Sequence, residues 1–292
     1  MADKFEYIQH LRDELSKKSQ REIRKFYEEA YNELKKYRDY LMSHGENSHR
    51  LTIQQADDLM KEVKAQLAKV SIKISALTTS TISALTVASS ELFGVPTIGF
   101  SSSVINSILT GSIYGSPGSW SLSSAIWGDN AKKYKDIYKI VADGLMRGES
   151  VQQVADKLLK YVDPSRLFYW NGPGDLHIFS HKVDYNAQRL VRTLTTHAYQ
   201  KAVVDATYND PALVGYRWVA NGSRACPICL DRDGTVFPKD QVPWDHPNGM
   251  CYIEPVYDSR RNNFQDIIDW VHAEEGDMPE MDAFMKKYLD MI

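Results

Sequence analysis

Apolar residues recur at three- and four-residue steps along most of this chain, the period of a helix with one buried face. From Asp3 to about Ser43, Ile23, Phe26, Ala30, Leu34, Tyr37 and Leu41 form one stripe, with acidic and basic residues alternating around the rest. The pattern predicts a long amphipathic helix, with a possible break at Ser16–Ser19. His44–Arg50 reads as a turn, and Thr52 as the N-cap of a second helix through Ile53, Met60, Val63, Leu67 and Val70. Together they predict an antiparallel helical hairpin over residues 1–73.

The pattern changes at Ile74. Glu91 is the only charged residue from there to Gly128, and Ser, Thr and Gly dominate. The run is long enough to cross a bilayer, but its hydroxyls and glycines disfavour insertion, so no membrane is expected. Interface cores are depleted in charge, which predicts that residues 74–128 are covered by the chain's own helices or by a partner, with Ile105 and Ile108 as contact residues. The Gly/Ser-rich second half predicts a long loop.

Helical spacing resumes at Leu122 through Ile126, Tyr134, Ile137, Val141 and Leu145. Gly148 ends it, and Ser150 caps a further helix of Val151, Val154, Leu158 and Leu159. This is an αα corner; it lacks the basic second helix of a DNA reader. The aromatic, Pro/Gly-rich run Asp163–Asp175 predicts a connector. A helix over Val183–Gln200 follows, with Val183, Ala187, Leu190, Leu194 and Ala198 inward. Arg189, Arg192 and Thr196 share its polar face. Both arginines are either solvated or salt-bridged residues, or a short ridge for phosphates or a partner carboxylate. Val214–Ala220, Gly234–Phe237 and Cys251–Tyr257 predict a small antiparallel sheet, and residues 259–292 a helical tail. The fold class is therefore mainly α, with a small α+β unit over residues 129–258.

A chain of 292 residues with net charge −3 has no global basic field, which disfavours a plain DNA-binding protein. The N-terminus lacks the basic, apolar and small-residue succession of a signal peptide. Three cysteines do not make a disulfide framework, and an interior that folds in a reducing cytoplasm is expected. All three, Cys226, Cys229 and Cys251, fall in one stretch with His246. A Cys-x-x-Cys pair followed by a His and a third Cys supplies one Cys₃His set for tetrahedral Zn²⁺. Four protein ligands close the site, so the ion would be structural. The alternative is three reduced, buried cysteines and a surface histidine. No Gly-rich phosphate loop, Ser-His-Asp arrangement or paired carboxylates are readable, so the chain is expected not to be an enzyme.

The run Cys226-Pro-Ile-Cys229, Leu-Asp-Arg-Asp-Gly-Thr-Val-Phe237, then His246-Pro-Asn-Gly-Met-Cys251 resembles the end of the phage head morphogenesis domain, the family of minor head proteins that includes the F protein of phage Mu. Many members read His-Pro-Asn-Cys-Arg-Cys there; Gly249 and Met250 replace the first Cys and the Arg, leaving Cys251 as the fourth ligand. The passage Leu145–Leu158 and the run Asp184-Tyr-Asn-Ala187 with Arg189-Leu190 and Arg192-Thr193 are also similar to the family, so the resemblance spans about Leu122 to Val256. It implies a minor capsid protein of a tailed bacteriophage, in the virion head and, during assembly, in the host cytoplasm. Its implied partners are the portal protein, other copies of itself, the major capsid protein and the packaged DNA, and its implied role is head assembly, genome packaging or DNA ejection. A zinc-containing DNA-binding protein or nuclease is the alternative.

Overall fold

Two helices of more than forty residues set the frame: α1 spans Ala2–His44 and α2 spans Ile53–Phe93. The computed structural model describes residues 2–44, 50–94, 97–112, 121–163, 185–222 and 225–258, with short pieces of the tail at 271–272, 277–279, 282 and 286. The Ser19 and Thr81 hydroxyls lie 3.0 Å apart, and Lys73 pairs with Glu29, so the helices run antiparallel as the stripe predicts. The expected break in α1 is absent. Ser16 and Ser19 are buried, and these small residues let the two backbones approach closely.

α2 begins with the expected cap: Thr52 accepts from Gln55 N–H while the Gln55 side chain accepts from Thr52 N–H. It does not stop where the charges stop, but runs on to Gly94, which takes a left-handed φ of 68°. The hydroxyls that follow Ile74 turn back on their own helix. Thr78, Thr86 and Ser89 donate to the carbonyls of Ile74, Ile82 and Leu85, four residues earlier, and so stay paired while buried. Part of α2 reaches a mean hydropathy of 1.3 over 18 residues, long and apolar enough to cross a membrane, and 44% of that window is buried inside the protein.

A second correction concerns the predicted long loop, half of which is the helix α3, Thr97–Thr110. Val104 and Ile108 are fully buried, and Ile105 packs half-buried against the same core. An aspartate at Ile108 would bury an unpaired charge, so it probes the core rather than a contact with a partner. The side chains of Ile98 and Phe100, and residues 113–120, lie outside the described residues.

α4 (Leu122–Arg147) and α5 (Val151–Leu159) form the expected corner, each opened by a reciprocal capping box, at Ser121 with Ser124 and at Ser150 with Gln153. α6, Tyr185–Thr207, is the inner element: it packs on α1, α2, α3 and the sheet, and nearly every residue from Val191 to Gln200 is buried. The sheet comprises β1 (Leu213–Val219), β2 (Val236–Pro238) and β3 (Tyr252–Tyr257), antiparallel in the order β2-β1-β3. A one-and-a-half-turn helix, α7 (Pro227–Arg232), leaves β1 and carries the second cysteine where a simple turn was expected. The fold is thus mainly helical with a small three-stranded sheet near the C-terminus, as the pattern predicts. The helical patterns expected from Phe264 onward lie almost wholly outside the described residues.

Candidate metal centre

The turn that carries His246 and Cys251 is held by its own backbone. Gly249 N–H donates to His246 O at 2.7 Å, and Asn248 sits at a φ of 68°, a left-handed conformation that Asn tolerates better than most residues. At the other end, Pro227 opens α7 directly after Cys226, and Cys229 falls one turn along, buried beneath it. These two local structures meet. Single donor atoms of Cys226, Cys229 and His246 lie within 4.8 Å of one another, and so do those of Cys229, Asp245 and Cys251.

Cys229 is therefore the shared corner of two donor triads, and all four expected ligands gather around it. Asp245 is a fifth group that the spacing argument missed. Its side chain is fully buried; one oxygen accepts from His246 N–H and the other from Cys251 N–H, both at 2.9 Å. Burial pushes the Cys229 and Cys251 thiols and the Asp245 carboxyl up from their ordinary values. A bound cation reverses that logic, since a coordinating thiol is deprotonated outright. Thiolate, imidazole and carboxylate together suit a borderline divalent ion.

α6 clamps this loop with side chains. Thr193 accepts from Asn248 N–H at 3.0 Å, Thr196 donates to Gly249 O at 3.0 Å, and Gln200 accepts from Asp245 N–H at 3.1 Å. Tyr199 donates to Ile253 O at 3.1 Å on β3. Burial pushes His197 down to about 4, so its ring is neutral and its Nε2–H donates to Asp245 O at 2.9 Å. Most of the polar face of this helix is therefore an internal ladder. Threonine, histidine and glutamine on the inner half of a helix are its sequence trace, but their partners are loop carbonyls and amides that no helical period specifies.

Arg192 belongs to this ladder, which corrects its place on an exposed ridge. It is 3% exposed and gives two N–H groups to Asn248 Oδ1, at 2.9 and 3.1 Å. Arg189 is exposed on the same helix and borders a groove of about 720 Å³ with Lys132, Asp129 and Trp244. Arg192→Ala should lower stability by about 2–3 kcal/mol, because two buried charge-assisted hydrogen bonds to Asn248 are lost. Arg189→Ala should change it by less than about 0.5 kcal/mol. Denaturant titration of both variants checks the contrast; equal effects would contradict it.

The last tie comes from the far end of the chain. Arg12 on α1 is fully buried, stacks over the Tyr199 ring at 5.6 Å, and donates to Cys251 O at 3.1 Å.

Residues 135–252 match the family model described as Phage Mu protein F like protein. The match ends one residue past Cys251 and takes in most of α4, then α5, α6, α7 and the metal-ligand set, close to the span the motifs suggest. No curated protein and no solved structure matches the chain.

Proposed function

We propose that this chain is a structural minor head protein of a tailed bacteriophage, associated with the portal and acting in head assembly and in packaging or delivery of the genome. The match over residues 135–252 carries this reading. The site supports a structural role: Cys229, Asp245 and Cys251 are buried, and the turn that carries Asp245 and Cys251 is hydrogen-bonded to Thr193, Thr196 and Gln200 of α6. One Zn²⁺ per chain is held by Cys226, Cys229, His246 and Cys251, and it staples α7 to the turn before β3, a sheet too small to stand alone. Contacts with the portal or with other copies use the half-buried Ile105 and exposed residues beside it. Arg189 is the available cation for a phosphate or a partner carboxylate, whereas Ile108 and Arg192 are committed to the interior.

A nuclease assay separates this reading from its alternative. The purified protein with added Mg²⁺ or Mn²⁺ should leave linear and supercoiled DNA intact. A metal-dependent cut that disappears in His246→Ala would replace the assembly role with a nuclease.

A further inference from the structure

Position 249 has no room for a side chain, and the reason is a carboxylate. A Cβ built on Gly249 would lie 2.1 Å from Asp245 Oδ2 and 2.2 Å from both its Cγ and its Oδ1. That is far inside van der Waals contact, and the obstacle is not a mobile chain end. The Asp245 side chain is fully buried, and its two oxygens are fixed by the N–H groups of His246 and Cys251. The same carboxylate faces the donor set. Oδ1 lies 3.7 Å from Cys229 Sγ and 4.0 Å from His246 Nε2, and the carboxylate forms a triad with Cys229 and Cys251. Ligands sharing one tetrahedral ion at bond lengths of 2.0–2.3 Å stand roughly 3.3–3.8 Å apart, so Oδ1 is at ligand distance from Cys229. A carboxylate that only ordered the turn would need its two amide partners and no others. This one is also held beside two thiols, the Cys229 thiol donating to its Oδ1, away from water and within reach of the buried Arg12 guanidinium.

We propose that Asp245 is itself a donor to the cation, a fifth group beside Cys226, Cys229, His246 and Cys251, its carboxylate occupying the space that a side chain at position 249 would need. The inference rests on the metal-binding reading above and specifies its chemistry: a site of mixed thiolate, imidazole and carboxylate character, with Gly249 required by Asp245. Either group can fill the place, but not both.

Co²⁺ titration of the full chain, followed by its visible and near-ultraviolet absorption, tests this. Asp245→Ala should bind Co²⁺ at least about tenfold more weakly than the unmodified protein, with shifted d–d bands. Adding Gly249→Cys to that variant should restore the affinity and strengthen the thiolate-to-cobalt absorption, because a sulfur enters the vacated place. If Asp245→Ala does not fold, Asp245→Asn, of the same volume, should show the same loss of affinity with an unchanged circular dichroism spectrum. Wild-type affinity and spectrum in Asp245→Ala or Asp245→Asn would overturn the proposal while leaving the metal site intact, and so would a double variant as weak as the single one. Failure of the unmodified chain to take up Co²⁺ or Zn²⁺ would overturn the metal reading and this proposal together.

Discussion

Cys229→Ser is expected to release the metal ion and unfold residues 213–257. Cys229 is the corner common to both donor triads and is 1% exposed, so no neighbouring group can replace it. Around it the sheet has only three strands, of seven, three and six residues, which is too little to bury a core of its own. Structural zinc contributes an apparent 10–16 kcal/mol or so in small metal domains, as much as the whole stability of an ordinary one. Bound zinc should therefore fall from about one per chain to a trace, and proteolysis should open the segment after α6. The long helices should persist, because α1, α2 and α4 pack on one another independently of the ion. A variant that keeps its zinc, or loses it without local unfolding, would contradict the stapling role.

Arg12→Ala should have the second largest effect. It removes a fully buried guanidinium whose N–H groups reach Cys251 O and Asp13 and whose plane covers Tyr199. The Cys251 carbonyl is left without that donor in a dry site, and the stem's packing is lost as well. A cost of about 3 kcal/mol is expected, with weaker metal retention, since the bond holds the backbone of a ligand. Denaturation followed by competition with a chelator measures both. The surface pair Lys17–Glu14 on the same helix provides the contrast: its removal should leave both quantities unchanged.

Arg12 also marks the limit of what periodicity reveals. The amphipathic stripe of α1 and the caps Thr52 and Ser150 act within a few residues, and their reading from sequence is the structure found. The cysteine spacing likewise brings Cys226, Cys229, His246 and Cys251 into one cluster. The bond from Arg12 to Cys251 crosses 239 positions and leaves no periodic trace. Arg192 reads from sequence as a solvated or salt-bridged residue or as part of a phosphate-binding ridge, whereas α6 is packed against α1, α2, α3 and the sheet and buries it. The Ser/Thr run after Ile74 carries no clear helical stripe, yet in α2 its hydroxyls join the helix, donating to carbonyls of the preceding turn. Asp245 and Gly249 form one steric unit that is invisible until the turn is folded.

Quantitative mass spectrometry and elemental analysis of purified phage heads, assembled in cells that express this chain with its neighbouring genes, test the central claim most directly. The account predicts that the chain is present in a small fixed number of copies per head, with zinc in proportion. It also predicts that heads assembled with the Cys229→Ser variant lack the chain. Heads that form and package normally with no copy of it, the chain remaining free in the lysate, would contradict the account.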